Sequence, residues 1–427
     1  MPAPQYHPRI VDAQLDEYAA LPAVAIDGPK GVGKTTTAAH RARTTFRLDD
    51  PAALATLQAD PGRLTHASPP VLIDEWQHYP PSWDLVRRAV DDGAPPGSFL
   101  LTGSASPQSP QTHSGAGRVV TLRMRPLTLP ERGTATPSVS LQAILDGAGT
   151  AAISGETTWG LESYVDAILT GGFPGMMTSP PTLRRALLAG YLDRIVDRDF
   201  PDAGRAVRNP GTLRRWLVAF AKATGTTASF ETIRDAAATG HADPPARSTT
   251  IPFRDTLERI WISDPVSAWS PLESHGLGKL TSSPKHFLAD PALAAALLDV
   301  DADVLLSGRD AGPPIPRQGT LLGGLFESLA ALSLQVFAQA ADAGLAHLRT
   351  HGGQREIDFI VHGRGRRQVA LEVKLTAVPD HHDVKHLLWL KEQMGPALTD
   401  MVVVTTGRSA YRRADGVAVV PLSLLGP

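Results

Sequence analysis

One stretch near the N-terminus constrains this chain more than any other: AVAID at Ala23–Asp27, followed at once by Gly28-Pro29-Lys30-Gly31-Val32-Gly33-Lys34-Thr35. A short apolar run suited to one buried strand enters a glycine-rich turn, and the helix-forming stretch KTTTAAHRAR follows. Glycines at that spacing let main-chain N–H groups turn inward around an anion, and the helix that begins there adds its positive end. Lys34 then offers an ammonium to β- and γ-phosphate oxygens and Thr35 a hydroxyl to Mg²⁺, so Gly28 to Thr36 is the expected cofactor-binding segment.

The surrounding pattern repeats that architecture. Between Pro22 and about Pro130 apolar runs alternate with helical patterns: TFRLDD, VLIDE, DLVRRAV, SFLLTGS and RVVTLRM. Parallel strands need a crossover helix, so this alternation predicts an α/β domain. VLIDE places Asp74 and Glu75 at a strand end, one βα unit beyond the glycine loop. Asp74 is expected to hold Mg²⁺ and Glu75 to polarise a water, which would make Lys34 and Glu75 catalytic. Thr102 and Ser104 end the next strand within reach of a γ-phosphate or that water, or simply form a turn. Arg118, after Gly117, is expected to sense nucleotide or to reach a neighbouring subunit. No Asn/Thr-Lys-x-Asp segment appears, which favours adenine over guanine and makes ATP with Mg²⁺ the expected ligand pair.

With 427 residues the chain has material for two to four domains. Its 41 Lys and Arg stand against 43 Asp and Glu, a net charge of -2, so any nucleic-acid contact must come from a local patch. Cysteine is absent, which removes disulfides, thiolate catalysis and cysteine-based zinc sites. The N-terminus lacks a basic start before an apolar core, and no apolar run approaches the roughly 18–20 residues of a membrane span, so a cytoplasmic protein without membrane contact is expected.

GPKGVGKTTTA, FRLDDP, VLIDEWQHYPPSWDLVRRAVD, FLLTGSAS, GAGR and RPLTLPE, in this order, resemble the prokaryotic AAA-type ATP-binding proteins whose C-terminal half is a domain of unknown function. GGFP, YLDRIVDRDF, PKHFLADPALA, GGLFESLAA and EIDFIVHGRGRRQVALEVK continue the resemblance along nearly the whole chain. It implies an α/β P-loop NTPase (AAA-type) domain over 1–140, a helical lid over 141–205, a winged helix-turn-helix over 206–310, and a restriction-endonuclease-like α/β domain over 311–427. The residues agree with that division. Helical patterns fill Leu161 to about Gly204, three helices and a strand pair follow, and the Pro/Gly-rich seam GRDAGPPIPRQGT precedes a second α/β module.

In that module Asp358 lies on one apolar strand, and Glu372 and Lys374 share a face of the next. They resemble the PD-(D/E)xK nuclease pattern, with Glu327 as a possible fourth member, although Arg355-Glu356-Ile357-Asp358 lacks the Pro-Asp step. Asp358 and Glu372 would hold a metal ion while Lys374 orients a water. A cross-strand ion pair among the three is the competing reading.

Arg364, Arg366 and Arg367, with Arg408, Arg412 and Arg413, are candidate phosphate contacts or solvated loop tips. The winged-helix stretch 206–290 carries ten Lys/Arg and eight Asp/Glu, a weak footprint for DNA. His381, His382 and His386 read as surface, and Trp76, Trp216, Trp261, Trp269 and Trp389 as core. The expected function is an Mg²⁺-dependent ATPase whose cycle acts on the nuclease-like module and on a DNA or protein partner, the oligomeric state being open. The alternatives are an ATP-regulated DNA endonuclease using Asp358, Glu372 and Lys374, and a non-hydrolysing ATP-gated switch.

Overall fold

The computed structural model describes residues 6–104, 116–203, 209–238, 244–270, 280, 282–308, 315 and 319–427. The seam at 308–320 falls mostly outside these residues, as do Arg208, Asp243, Glu273 and Lys279 of the winged-helix stretch.

Among the described residues, β1 (Ala23–Asp27), β2 (Thr44–Arg47), β3 (Val71–Asp74), β4 (Phe99–Gly103) and β5 (Val120–Arg123) form a parallel sheet in the order β2-β3-β4-β1-β5. Side chains alternate between its faces. Ala23 and Ala25 of β1 enter one core with Leu57, Ile73, Trp76 and Leu101, while Val24 and Ile26 enter another with Leu72, Leu100 and Leu122. Inserting β4 between β1 and β3 aligns Asp27 with Gly103 and Asp74 with Thr102. The glycine loop, the acidic pair and the Thr-Gly-Ser turn therefore leave the sheet at one edge, where ligands of open parallel sheets bind.

The second of those cores does not stop at the first domain. Tyr164, Ile168, Trp216, Phe220, Leu329, Val402 and Val420 belong to the same apolar cluster. The helices Leu161–Thr170, Pro181–Arg194, Pro210–Lys222, Phe230–Ala236 and Arg247–Arg259 surround it, and Trp216 stacks on Phe220 with ring centroids 5.2 Å apart.

The C-terminal module consists of the helix Leu321–Ala340, the antiparallel run β9 (Gly344–Arg349), β10 (Glu356–His362) and β11 (Gln368–Lys374), the helix His381–Met394, and β12 (Asp400–Thr405) parallel to β11. β13 (Ser409–Arg412), β14 (Ala418–Pro421) and β15 (Leu425–Gly426) follow. Three short strands from earlier in the chain complete its pairing: β6 (Val139–Ser140) joins β15, while β7 (Gly155–Glu156) and β8 (Ser267–Ala268) form the two edges of an eight-stranded sheet. Thus β6, at the end of the expected first domain, and β7, within the expected helical lid of 141–205, both pair with strands of the C-terminal module. Among the described residues, the stretch expected as a wing shows two bridges, Ser263 with Leu288 and Val266 with Lys285, and the chain runs on from Val266 into β8.

The helix Leu321–Ala340 corrects the expectation about apolar runs: its length and composition would suffice to cross a membrane, but 83% of its apolar window is buried inside the fold.

A buried ionic contact ties the two sheets together. The Asp264 carboxylate, 6% exposed, accepts from Arg123 Nη1 at 2.9 Å and Arg125 Nε at 2.7 Å, at the end of β5. Arg123 also lies over the Trp261 ring, 4.6 Å from its centroid. Substituting Asp264→Ala leaves both guanidiniums without their counter-charge and is expected to cost about 3–5 kcal/mol of stability, measured by urea denaturation against wild type.

Candidate functional site

The glycine loop is shaped by close backbone approach. At Gly28 an added Cβ would stand 2.1 Å from the Met124 carbonyl oxygen, because Met124 N donates to Asp27 O at 2.7 Å as β5 ends. Only glycine fits there. Pro29 and Val32 are buried and Gly31 lies against Phe173, while Gly33, left-handed at φ 98°, opens the helix Lys34–Ala39, whose Thr36 is exposed. Arg9 braces the loop from behind: its Nη1 donates to Val32 O at 2.8 Å, its Nη2 to Arg125 O at 2.6 Å and its Nε to Glu131 at 3.0 Å.

Lys34 is 5% exposed and donates to the carbonyls of Gly28 and Pro29, each at 2.9 Å. Burial pushes its ammonium down to about 8, although Glu75, Asp27 and Asp74 pull it upward. Burial likewise lifts the Asp27 carboxyl to about 6 against Lys34 and Arg123.

Across the sheet edge, Thr35 Oγ1 donates to Asp74 Oδ1 at 2.7 Å, and Thr102 Oγ1 donates to the same oxygen at 2.5 Å. A hydroxyl and a carboxylate so placed are the hard oxygen donors that Mg²⁺ takes. Glu75 adopts a left-handed conformation, φ 52°, and its Oε2 accepts from Ser104 Oγ at 2.9 Å and from Gln77 Nε2. Gln77 escaped the sequence reading, as did Arg9. The adjacency of Gln77 to the acidic pair was the available signal.

Lys30 points away from the loop's interior. It pairs with Asp199 at 2.6 Å, and its carbonyl accepts from Tyr191 Oη at 3.0 Å, so the helical stretch 181–202 lies over the loop. The GGFP motif explains the fit beneath it. Gly172 lies so close to the Leu127 backbone that a Cβ would stand 2.3 Å from that carbonyl oxygen, and its N–H donates to Asp290 at 2.6 Å.

Arg118 lies elsewhere. It precedes β5, whose register sets Val120 against Val24 and Arg123 against Asp27, so it sits at the opposite end of the strand from the glycine loop, roughly 15 Å away at about 3.3 Å per residue. It pairs with Asp91 at 2.7 Å. Within its own chain it is not a nucleotide contact, and Arg123 is the arginine that faces this edge.

The C-terminal residues do converge. The register of the β9–β10 pairing shifts between Ile357 and Ile360, the interval that holds Asp358, and Val373 N donates to Asp358 Oδ2 at 2.9 Å. Lys374 pairs with Glu372 at 2.8 Å. The sequence reading missed the centre of the group. Lys285, its side chain 1% exposed, reaches Glu327 and Asp358 at 2.8 Å each and Glu356 at 3.3 Å. Burial lifts Glu327 to about 8 against Lys285, whereas Lys285 and Lys374 overcome burial to hold Asp358 below the ordinary carboxylate range. Burial, then the Asp358 charge, raises Glu372 well above its usual value. These residues line a cavity of about 840 Å³ that Thr224–Ala228, His382 and His386 also border.

Several basic candidates are already paired: Arg364 with Asp342, Arg367 with Asp146, Arg412 with Asp400 at 2.8 Å and Arg413 with Asp415 at 2.9 Å. His382 Nε2 accepts from Lys385 Nζ at 2.9 Å, and His386 Nδ1 donates to Glu356 O at 2.9 Å.

A strand, a glycine loop closed on a buried lysine, and an acidic strand end in one parallel sheet define an AAA-type ATP-binding domain of the P-loop ATPase class, and residues 21–132 match the AAA domain family. Residues 161–304 and 322–425 match two domains of unknown function, DUF8612 and DUF4143. Among individual proteins, the uncharacterized protein Rv2008c of Mycobacterium tuberculosis is 27% identical over 94% of this chain and 80% of its own length. The uncharacterized protein Mb2031c of Mycobacterium bovis matches to the same extent. Solved structures with looser likeness include the Walker-type ATPase paby2304 of Pyrococcus abyssi, at 12% identity and TM-score 0.36 over 67% of this chain and 94% of that one. The ORC2 protein of Aeropyrum pernix aligns at 16% identity and TM-score 0.27, over 75% and 92% of the respective chains.

The Lys34 environment sets a pH dependence. Phosphate binding needs the ammonium form, whose proton is lost as pH rises through about 8 before nucleotide is added. ATP affinity is therefore expected to be flat below pH 7 and to weaken by up to about tenfold per pH unit above 8, measured by fluorescent-nucleotide titration.

Proposed function

We propose that this chain hydrolyses ATP with Mg²⁺ and that the cycle drives its C-terminal module against a DNA or protein partner. The observation that carries the reading is the separation of tasks between two neighbouring carboxylates. Asp74 faces the Thr35 hydroxyl, whereas Glu75 is turned by its backbone toward Ser104 and Gln77. In this proposal Gly28 to Thr36 bind the phosphates, Lys34 exchanges its two carbonyl partners for β- and γ-oxygens, and Thr35 with Asp74 holds the cation. Mg²⁺ supplies charge neutralisation on the phosphates. Glu75 takes the proton of the attacking water, and the Ser104 and Gln77 contacts keep its carboxylate at the strand end until that water arrives.

Lys34→Ala is expected to abolish ATP binding. Glu75→Gln is expected to bind ATP with affinity near wild type while turnover falls by about 10²-fold or more. Phosphate release and nucleotide binding, measured side by side, test both; unchanged turnover in Glu75→Gln removes the assignment.

The second reading, nuclease-type chemistry in the C-terminal module, is favoured by one specific observation: Glu327, Asp358, Glu372 and Lys374 line a single cavity. Supercoiled DNA incubated with Mg²⁺ or Mn²⁺ tests it. Cleavage by wild type that is lost in Asp358→Ala supports it, and equal background in both removes it.

A further inference from the structure

The carboxylates of the C-terminal cavity are not arranged around empty space. Glu327 comes from the helix Leu321–Ala340, Glu356 and Asp358 from β10, and the side chain that meets all three belongs to none of these elements. Lys285 arrives from the strip that precedes the module in sequence, and its ammonium lies 5.8 Å from the Phe359 ring centroid. An ammonium is a compact point charge with three donors, and this one has three carboxylate neighbours at 2.8, 2.8 and 3.3 Å. A divalent ion draws oxygens to roughly 2.0–2.6 Å, so carboxylates held at ammonium distance stand apart from its geometry. Among the described residues no group of three His, Asp or Glu side chains has a metal-holding arrangement.

Two buried carboxylate oxygens of this cluster have no hydrogen-bond partner: Glu327 Oε1, which meets Lys285 as an ion pair, and Glu372 Oε1. Glu372, 3% exposed, gives its Oε2 to Lys374 at 2.8 Å. Lys285 therefore holds three of the carboxylates and Lys374 the fourth.

We propose that Lys285 is a tethered cation that closes the C-terminal carboxylate site to divalent ions, so that Glu327, Asp358 and Glu372 can take a metal only when the strip carrying Lys285 withdraws. This rests on the nuclease-type reading only in taking those carboxylates as cation ligands. The tether has a definite anchor. Lys285 exchanges both backbone hydrogen bonds with Val266, at 2.9 and 3.0 Å, and Asp264, two residues earlier, holds Arg123 and Arg125 at the end of β5. The strip that positions the ammonium is thus clamped to the strand beside the glycine loop. The same strip also reaches the sheet that holds the carboxylates, since Ser267 and Ala268 pair with Ala346 and His347 of β9, so withdrawal of Lys285 means that its side chain leaves the carboxylates or that this two-residue pairing parts.

The test counts Mn²⁺ bound to the full chain by electron paramagnetic resonance, without nucleotide. Lys285→Met should bind one more equivalent of Mn²⁺ than wild type, and Lys285→Met combined with Asp358→Asn should return to the wild-type count. Lys285→Arg, which keeps a charge in place, should gain nothing. Should Lys285→Met fail to fold, Lys285→Met with Glu356→Gln, which removes an uncompensated carboxylate outside the three proposed ligands, carries the same measurement. Equal Mn²⁺ binding in wild type and the Lys285 variants overturns the proposal, and so does a wild-type site that Asp358→Asn removes. The nuclease reading fails separately. A gained Mn²⁺ site without DNA cleavage leaves the tethered lysine standing and removes the nuclease, while cleavage by wild type with no gain of Mn²⁺ does the reverse.

Discussion

The contact between Asp264 and two arginines holds the nucleotide domain and the C-terminal module in one body. Burial would push the Asp264 carboxyl upward, but Arg123 and then Arg125 outweigh it, so the group is held below its usual value and stays ionised. A buried charge of this kind tolerates little displacement, because either partner left alone keeps its desolvation penalty. Its consequences run in both directions along the chain. Arg125 passes its carbonyl to Arg9, which reaches Val32 in the glycine loop. On the other side, Asp264 N donates to Phe287 O at 2.9 Å and so fixes the strip that ends in Lys285. The back of the phosphate loop and the wall of the distant cavity are therefore linked through one carboxylate.

What could be read in the sequence was whatever depends on local spacing. The glycine loop, the Asp74-Glu75 strand end and the Thr-Gly-Ser turn each need only a few consecutive residues and a strand period of two, and parallel register brings them to the same edge. Glu372 and Lys374 were legible for a related reason, since alternation along β11 puts them on one face, whereas their grouping with Asp358 and Glu327 rested on the resemblance to the PD-(D/E)xK pattern. Arg118 shows the opposite. Its glycine neighbour suggested a sensor, but strand direction rules that out, because the loop lies at the C-terminal edge of the sheet and Arg118 lies before the N-terminal end of β5. Arg123 stands only five residues later and carried no motif. Lys285 was illegible for a deeper reason. Lysine is almost never fully buried without partners, and its partners here come from positions such as Asp358, 73 residues away.

Domain boundaries were blurred by the same long-range pairing. Composition places a change of unit near each Gly- or Pro-rich stretch, yet β6, β7 and β8 all cross such stretches to complete sheets elsewhere. The gain is edge coverage. β7 and β8 occupy the two outer positions of the eight-stranded sheet and cover part of the flanks of β13 and β9, as short edge strands do. The helix Leu321–Ala340 gives the same lesson in another form. Its apolar surface packs on β9, β11 and helices that include Leu161–Thr170, and the apolar surroundings that a membrane span would find in lipid are supplied by the protein itself.

The two buried lysines differ in what they must give up. Lys34 is satisfied by carbonyls of its own loop, neutral acceptors that a phosphate outcompetes by charge, and burial has already loosened its proton. A ligand can therefore take over its partners without any rearrangement of the sheet. Lys285 is held by three carboxylates from two elements, which outweigh burial and raise its ammonium well above the usual value. A free cation approaching that cluster has to displace a charge that is covalently attached and already at full contact, so its effective concentration there exceeds that of any ion in solution. Ligand binding alone suffices to open the first site. Opening the second requires Lys285 to leave its carboxylates, and its backbone is anchored both near β5, through Asp264, and to β9, through β8.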